Sequence, residues 1–355
     1  MRLQEFRQRL RQGGGRDCHE QRLLRHWLQG RADDQGRQRL QHFLPPRLLD
    51  DWPAIRAALR QLTELQQQVV ACDGAVRLLV GLADGESVEA VLLPRGGLCV
   101  SSQVGCAVAC GFCMTGVGGL RRQLHSAEIL AQVVLARSLR PVHKVVFMGM
   151  GEPSHNLEAV LEAIDLLGTA GGIAHKSLVF STVGDERALR RLQASRVKPA
   201  LALSLHTLNP RLRSTLLPHA PRHDPHDLLQ QACEYAEATG YPLQLQWTLL
   251  AGVNDAPEDV ETLAEQLRGR SAMVNLIPYN RVPGLPFERP SPQRVLAVAR
   301  KLSSLGVLTR LRRSAGQDVE AGCGQLRARD LPIVDRRQAG AVLSAALNAG
   351  ASDPM

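Results

Sequence analysis

Three cysteines stand close together in one short stretch of this chain. Cys106, Cys110 and Cys113 have the spacing Cys-x3-Cys-x2-Cys, so their thiolates can converge on one metal centre from a single loop. A structural zinc ion normally takes four protein ligands, and the nearest candidate for a fourth, His125, lies twelve residues further on. A four-iron cluster with three protein ligands keeps one iron atom open for a small molecule. The triplet therefore predicts an iron–sulfur centre, with a zinc site or buried thiols as the alternatives.

Two further cysteines stand where a thiol could take part in chemistry. Cys99 lies seven residues before the triplet in a strand-like stretch, and Cys323 lies in a glycine-flanked loop (321–325) that is open enough to move. A lone cysteine in either place is usually an inert packing group, which remains the alternative. The other three cysteines stand alone, and we expect them to be small buried or incidental thiols: Cys18, Cys72 and Cys233.

The elements around these residues alternate between strands and helices. From residue 98 onward, six strand-like stretches each precede a helical stretch, which predicts a parallel α/β sheet or barrel. Six repeats are fewer than the eight of a closed barrel, so we expect a partial (βα)6 barrel over residues 97–306. The cysteine triplet directly follows the first of these strands.

Polar residues and tight turns end several of the strands. In α/β barrels the active site lies at the carboxyl ends of the strands, so these positions should meet at one rim. A Gly-Met-Gly-Glu turn (149–152) follows the second strand, and further candidates end the third, fourth and sixth strands. The candidate binding residues at this rim are Gly151, Glu152, Ser181, Ser204, Leu205, His206 and Asn280. Taken singly, each is equally compatible with an ordinary strand-end cap or turn.

Smaller regions flank the barrel. Residues 1–70 predict a basic helical accessory region, and residues 71–96 predict a β-hairpin linker that turns at Asp84-Gly85. Residues 307–355 predict one more strand, the Cys323 loop and a final helix near 336–348.

Positive charge is concentrated at the amino-terminal end. The whole chain has a formal net charge of +9, and residues 1–60 hold thirteen Arg and no Lys against seven Asp or Glu. Guanidinium groups suit bidentate contacts to phosphate, and the alternative is a solvated helical surface. There is no apolar stretch long enough for a transmembrane helix and no Ser before Ser87, so we expect a cytoplasmic protein without a targeting segment.

Residues 85–330 resemble a known enzyme family. A cysteine triplet after the first barrel strand is typical of the radical S-adenosylmethionine superfamily. Five blocks, in the family's order and spacing, resemble the RlmN/Cfr family of RNA adenine methyltransferases. These blocks are LCVSSQVGCAVACGFCMTGVGGLRRQLHS (98–126), VFMGMGEP (146–153), ALSLHT (202–207), NLIPYNRVPGLPFERPS (275–291) and CGQL (323–326). The resemblance implies an α/β fold: a radical S-adenosylmethionine partial barrel with a helical and β-hairpin accessory region and a carboxyl-terminal extension.

The resemblance also implies roles for the candidate residues. The cysteine triplet would hold a [4Fe-4S] cluster, and the rim residues would bind S-adenosylmethionine. In the family, the residue that matches Cys323 accepts a methyl group, and the residue that matches Cys99 later forms a transient disulfide with it. Glu89 matches a family carboxylate with a general-base role, and its alternative is an exposed hairpin residue.

The implied reaction is methylation of an adenine carbon, with carbon 2 favoured over carbon 8, in ribosomal or transfer RNA. Such C–H carbons are poor nucleophiles, so two S-adenosylmethionine molecules are used per turnover: one methylates the cysteine, and the other yields the radical that activates the methyl group. The implied partners are the RNA, an electron donor such as flavodoxin or ferredoxin with its reductase, and a dithiol reductant. We expect a monomer that binds no membrane.

Two other classes of protein are compatible with the sequence. One is a radical S-adenosylmethionine enzyme with a small-molecule substrate, and the other is a zinc-bearing RNA-binding protein without catalysis. The Cys99/Cys323 pair and the basic amino-terminal region favour the RNA methyltransferase. The chain has Ala315 and Gln317 where the family pattern has an arginine and an acid.

Overall fold

The computed structural model describes residues 1–31 and 39–328 of the chain. Its amino-terminal part is helical, as the leucine- and arginine-rich pattern predicts. The helices are α1 (Leu3–Gln12), α2 (Asp17–Gln29) and α3 (Pro46–Arg60). Apolar side chains on one face of each helix, such as Leu10, Leu28 and Ile55, are buried in the main core. The polar residues, including most of the arginines, therefore lie on the outer faces.

Three antiparallel strands follow these helices: β1 (Thr63–Val70), β2 (Val76–Leu82) and β3 (Ser87–Leu93). We call them the front sheet. The β2–β3 pair confirms the predicted hairpin with its turn at Asp84-Gly85. The helical prediction for residues 63–70 is wrong, because this polar, glutamine-rich stretch pairs along β2 as an edge strand. Pairing with a neighbouring strand overrides weak local propensity here.

The first barrel strand is shorter than predicted. The stretch 98–105 divides into β4 (Gly97–Cys99), which lies in the main sheet, and β5 (Gln103–Gly105), which pairs with β6 (Leu120–Gln123) as a separate ribbon. The chain leaves the main sheet after Cys99, because the amide side chain of Gln132 bonds both backbone groups of Ser101 at 2.9 and 3.0 Å. No neighbouring strand is then needed to satisfy them.

The rest of the barrel repeats strand and helix. The parallel strands are β7 (Lys144–Phe147), β8 (Leu178–Thr182), β9 (Ala200–Ser204), β10 (Leu243–Leu249), β11 (Ala272–Pro278) and β12 (Leu308–Leu311). The helices are α4 (Ser126–Leu139), α5 (Leu157–Gly168), α6 (Glu186–Ala194), α7 (Pro210–Leu216), α8 (Pro225–Thr239), α9 (Pro257–Leu267) and α10 (Pro292–Ser304). The short helix α7 is an addition to the predicted pattern.

The main sheet confirms the predicted fold class. Its order is β1-β2-β3-β4-β7-β8-β9-β10-β11-β12, and all pairs from β4 onward are parallel. Within the described ranges this order has two free ends, β1 and β12, as a partial barrel requires. The predicted helix near 336–348 lies outside the described residues. Of the helices in residues 1–31 and 39–328, none is long and apolar enough to cross a membrane.

Candidate active site

The cysteine triplet lies on a loop that leaves β5 and is fixed by backbone hydrogen bonds. The Cys106 amide donates to the Gly119 carbonyl (3.0 Å), and the Cys113 amide donates to the Cys110 carbonyl (3.1 Å). Gly105 begins the loop at φ +79°, where a Cβ would lie 2.0 Å from the Gly119 oxygen. Glycine is therefore required at this position, and the base of the loop is closed.

A small hydrophobic cluster supports the cysteine loop. Val108, Phe112 and Met114 are buried there, and the three cysteines border it in partly buried positions. The other buried members of the cluster come from segments that follow later barrel strands: Val183, Leu216, Leu217, Leu250, Tyr279, Val282 and Phe287. The loop is thus held by the carboxyl-terminal side of the barrel.

The three thiols lie close enough to perturb one another. Burial, followed by the charge of Cys113, raises the pKa of Cys106 to about 12. Burial, followed by the charges of Cys113 and Cys106, raises the pKa of Cys110 well above its usual range. Thiols that oppose one another's ionisation in this way fit a cationic metal centre, which stabilises the thiolate form.

The triplet supplies the three thiolates that a four-iron cluster takes from the protein when one iron stays open. In residues 1–31 and 39–328, no three His, Cys, Asp or Glu side chains converge closely enough to hold one metal ion. In an iron–sulfur cluster each thiolate binds a different iron atom, so the sulfurs lie further apart than the ligands of one zinc ion. The residues present therefore fit the [4Fe-4S] cluster that the sequence predicts.

The Gly149–Glu152 turn follows β7 and packs directly on the stretch that follows β4. A Cβ at Gly149 would lie 2.6 Å from the Val100 oxygen. Gly151 has φ +102°, and a Cβ there would lie 2.6 Å from the Gln103 side chain. Both glycines therefore allow a close approach between the turn and the first strand region, beside the cysteine loop.

The Glu152 carboxylate joins two strand ends. One oxygen accepts a hydrogen bond from the Ser154 amide (3.1 Å), and the other accepts from the Val183 amide (3.0 Å). The side chain is 5% exposed, and its charge contributes to the raised pKa values of Cys106 and Cys110. Glu152 thus brings a buried negative charge to the cysteine loop and leaves lone pairs for a cationic amino group.

The ends of β8 and β9 carry the polar groups that the sequence predicts for the rim. Ser181 is buried near the end of β8, and Ser204 is half-buried as the last residue of β9. Leu205 is fully buried, so its backbone rather than its side chain is the part suited to a ligand contact. These positions follow neighbouring parallel strands and therefore lie at the same edge of the sheet.

His206 is held as a neutral imidazole. Its Nδ1 accepts a hydrogen bond from the Thr248 amide (3.0 Å), and its ring lies edge-on to Phe112 with centroids 4.9 Å apart. Burial, followed by the charge of Arg213, lowers the pKa of His206 to about 3. The ring therefore carries no charge at neutral pH.

Sequence reasoning misses Arg213, a buried arginine on α7. Its guanidinium donates to the Val183 carbonyl, and its charge acts on Cys110 and Glu152. Nε lacks a hydrogen-bond partner within the part of the chain that the structure describes. The neighbouring Arg211 is exposed, and nothing in the local sequence distinguishes the two. Only the tertiary fold directs Arg213 towards the cysteine loop.

Asn280 follows β11 and contacts the segment that carries Cys323. We call residues 314–328 the Cys323 segment. The Asn280 side-chain amide donates to the Ser314 hydroxyl (2.8 Å) and to the Cys323 carbonyl (2.9 Å). The Met114 amide donates to the Gly324 carbonyl at 2.7 Å. The segment therefore lies directly against the cysteine loop and the rim.

Cys99 and Cys323 are brought together by this docking. Cys99 is the last residue of β4, and its side chain is 9% exposed, whereas Cys323 is exposed. Burial, followed by the charge of Cys323, raises the pKa of Cys99 to about 12. Cys323 also acts on Cys113, whose pKa is raised mainly by burial. Both Cys99 and Cys323 are free thiols in this structure.

Glu89 is 1% exposed, so the alternative of an exposed hairpin residue is wrong. One carboxylate oxygen pairs with the Arg77 guanidinium (3.3 Å). The other accepts hydrogen bonds from the amides of Arg327 (2.7 Å) and Ala328 (3.3 Å), at the end of the Cys323 segment. The register of β3 against β4 places Glu89 on the same face of the sheet as Cys99.

The arginines beside the cysteine loop are held in ion pairs. Arg121 pairs with Glu86 (2.6 Å), and Arg122 pairs with Asp84 (2.6 Å) and Glu128 (2.9 Å). They therefore fix the hairpin turn to the barrel. Exposed arginines occur on several faces of the protein, and those of the amino-terminal region and near the Cys323 segment are Arg2, Arg11, Arg16, Arg25, Arg31, Arg39, Arg47, Arg60, Arg310 and Arg313.

The chain is similar to known radical SAM proteins and RNA methyltransferases. A family model described as the radical SAM superfamily matches residues 100–267. The chain is 60% identical over 337 residues to a probable RNA methyltransferase from Leptothrix cholodnii, covering 95% of the chain and 97% of the relative. A probable RNA methyltransferase from Azoarcus sp. is equally similar, at 60% identity and the same coverage. A solved radical SAM methyltransferase from Sphaerobacter thermophilus is 34% identical with a TM-score of 0.78, covering 92% of this chain and 98% of that chain.

Proposed function

Because the chain belongs to the radical S-adenosylmethionine superfamily and to the methyltransferase family of its relatives, we propose that it methylates an adenine carbon in RNA. Carbon 2 is favoured over carbon 8, and Cys323 carries the methyl group as an S-methylcysteine. The relatives at 60% identity are named probable RNA methyltransferases, which supports an RNA substrate, ribosomal or transfer. We assign the chain to the RlmN/Cfr family.

The observation that carries this proposal is the pair of thiols at the rim. Cys99 and Cys323 lie far apart in the chain, yet the Cys323 segment is docked on the cysteine loop and the rim through Met114 and Asn280, and the charge of Cys323 reaches both Cys99 and Cys113. A radical enzyme that acts on a small molecule needs the triplet and a cofactor site, but it has no use for two further thiols at the same rim. A methyl-carrying cysteine with a second cysteine to release the product requires this pairing.

The cofactor site is assigned to the residues at the rim. Cys106, Cys110 and Cys113 would hold the [4Fe-4S] cluster. S-adenosylmethionine, used twice per turnover, would lie against Gly151, Glu152, Ser181, Ser204, Leu205, His206 and Asn280. When bound, the cluster supplies the electron that cleaves S-adenosylmethionine reductively. The neutral His206 and the buried Glu152 suit a zwitterionic ligand, because the carboxylate of Glu152 attracts its amino group.

The protein's own residues account for the remaining steps. Cys323 is exposed and can receive the methyl group: its sulfur loses the thiol proton as the new S–CH3 bond forms, and the S–CH3 bond of S-adenosylmethionine breaks to release S-adenosylhomocysteine. The carbon on Cys323 joins the adenine as a methylene, after it has given one hydrogen atom to the adenosyl group of the second S-adenosylmethionine. We assign Glu89 to remove the proton from the base carbon, and the unpaired electron would leave to the cluster that supplied it. The Cys99 sulfur then attacks the Cys323 sulfur: the S–S bond forms, the bond from the Cys323 sulfur to the carbon breaks, Cys99 releases its proton, and the freed carbon takes up a proton to become the methyl group. An external dithiol then reduces the disulfide.

The exposed arginines supply a surface for the RNA backbone. We assign this role to those in residues 1–60 and to Arg310 and Arg313, beside the Cys323 segment. Guanidinium groups contact phosphate in two places at once, which orients a folded RNA without reading its sequence. A buried adenine must be unstacked to reach the rim, at a cost of a few kcal/mol.

The test begins with anaerobic purification and analysis of iron and sulfide. The protein is then incubated with unmodified RNA, methyl-labelled S-adenosylmethionine and a reductant. We expect four irons per chain and labelled methyladenosine. The labelled product should be lost in Cys323→Ala and retained in Cys18→Ala, which removes an exposed thiol on α2, outside the barrel. Digestion of the RNA then identifies the carbon and the nucleotide.

Other results would contradict the proposal in separate ways. Zinc without iron would favour a non-catalytic RNA-binding protein. A complete cluster without RNA methylation would agree with the superfamily assignment but show that RNA is not the substrate. Mass spectrometry that finds only unmodified Cys323 in active, cluster-loaded protein would refute the methyl-carrying role of this residue.

A further inference from the structure

Two aspartate side chains, one in each element, join the Cys323 segment to the turn between β1 and β2. Asp73, in that turn, accepts a hydrogen bond from the Gly316 amide (3.0 Å). Asp318, in the Cys323 segment, accepts one from the Cys72 amide (2.9 Å). Each carboxylate thus binds a backbone amide of the other element, and the two contacts are reciprocal.

A tight loop links Gly316 to the residues next to Cys323, so the position of Gly316 affects the position of the thiol. The Asp73 side chain is itself fixed, because its Oδ1 accepts from the Ala75 amide (2.9 Å). Gly316 has φ +68°, and a Cβ there would lie 2.8 Å from the Cβ of Ala321. The Ala321 amide donates to the Gly316 carbonyl (2.8 Å), which closes a tight loop two residues before Cys323. A shift of Gly316 therefore moves the residues next to the thiol.

The Cys72 side chain reinforces the contact at Asp318. A hydrogen bond to Asp318 raises the pKa of the Cys72 thiol, and the Cys72 amide lowers the pKa of the Asp318 carboxyl. Asp318 therefore stays ionised at neutral pH, where a charged acceptor makes the stronger hydrogen bond. The sequence alone marks Cys72 only as an incidental thiol.

The Cys323 segment is otherwise held by the barrel. Asn280 bonds the Cys323 carbonyl, Met114 bonds the Gly324 carbonyl, and the Thr115 hydroxyl donates to the Leu326 carbonyl (2.6 Å). Before residue 323, Asn280 also donates to the Ser314 hydroxyl at the start of the segment, and apolar residues of the segment pack on the main core. Between Ser314 and Cys323, the described hydrogen bonds to the front-sheet turn are those of Asp73 and Asp318.

We propose that Asp73 and Asp318 are positioning residues that hold Cys323 beside Cys99 and the cysteine triplet. Both are exposed, and each binds a backbone amide of the opposing element, so they act through the loop. This proposal rests on the proposed function only in explaining why Cys323 needs a fixed position. That position can be measured without RNA.

The experiment compares alanine and asparagine variants of the full-length, cluster-loaded protein. Asp73→Ala and Asp318→Ala remove the acceptor, whereas Asp73→Asn and Asp318→Asn keep an oxygen in the same place. Asp224→Ala is the matched control, because it removes another exposed carboxylate that accepts from a backbone amide, at the start of α8 (2.8 Å). Diamide oxidises the free-thiol fraction of Cys99 and Cys323 to the disulfide and is itself reduced to the hydrazine.

Each alanine variant should slow formation of the Cys99–Cys323 disulfide by about three- to tenfold, the factor that one net hydrogen bond represents. Hydrogen exchange of the peptide 314–322, measured by mass spectrometry, should rise by a similar factor. Both quantities should return towards wild type in the asparagine variants, and Asp224→Ala should leave them unchanged. Wild-type cross-linking rates in both alanine variants, or equal losses in the alanine, asparagine and control variants, would overturn the positioning role. A failure of wild-type protein to methylate RNA would refute the proposed function and leave these results unaffected.

Discussion

Replacing Arg77 with methionine should destabilise the protein through the buried carboxylate of Glu89. The two side chains lie 3.3 Å apart and are 5% and 1% exposed, so water cannot take the place of the lost guanidinium. Removing one member of a buried ion pair costs about 3 to 5 kcal/mol. We expect the lower end, ~3 kcal/mol, because two backbone amides of the Cys323 segment still donate to Glu89. Methionine keeps most of the apolar volume, so the loss reports charge rather than a cavity.

Urea unfolding followed by circular dichroism measures this loss as a shift of the midpoint to lower urea at constant slope. Glu89→Gln should cost a similar amount, because it leaves Arg77 charged and buried. The double variant Arg77→Met/Glu89→Gln removes both charges, so its loss should be clearly smaller than the sum of the single losses. Arg191→Met is the control: it breaks an exposed pair with Glu158, 48% and 72% exposed, and should not move the midpoint.

The outcome that would refute this reasoning is additivity. Single variants that each lose less than about 1 kcal/mol, with a double variant equal to their sum, would show that the two charges do not depend on each other. Arg77→Met should also raise hydrogen exchange at Arg327 and Ala328, whose amides bond the same carboxylate. Unchanged hydrogen exchange at these two amides would show that the Arg77–Glu89 pair does not stabilise the Cys323 segment.

Gly105→Ala places a Cβ 2.0 Å from a backbone oxygen at φ +79°, so the purified variant should have lost its iron; Gly240→Ala, at φ +72° in open space, should keep it. Burial raises the pKa of Cys99 to about 12, so the rate of its disulfide formation should rise about tenfold per pH unit between pH 7 and 9, and a plateau there would contradict this. Arg47→Gln removes one positive charge, so the slope of log RNA affinity against log salt concentration should become smaller by about one unit. An unchanged slope would show that other residues contact the phosphates.

The fold class follows from the sequence because periodicity is a local property. Six strand–helix repeats predict the parallel sheet, and the structure contains each of them. The hairpin at Asp84-Gly85 is equally local, since the turn residues specify it. The stretch 63–70 is read wrongly, because its polar, glutamine-rich sequence has no strong preference and becomes a strand only by pairing along β2.

The cysteine triplet is also determined by the sequence. Three ligands within eight residues need only one loop to meet, and the glycine at position 105 closes that loop. The rim positions follow from the topology, because parallel strands bring their carboxyl ends to one edge. Residue types and spacing therefore suffice to predict the chemistry of the cluster site.

Contacts between residues distant in the chain depend on the tertiary structure. Arg213 resembles any arginine of an amphipathic helix until α7 packs against the cysteine loop. The backbone hydrogen bonds that Asp73 and Asp318 accept join two turns that no local sequence pattern connects. The sequence alone marks the cysteine triplet and the two candidate thiols. The fold decides how the Cys323 segment is docked on the rim, because distances between remote residues are set by packing and hydrogen bonding of the whole sheet, and not by spacing along the chain.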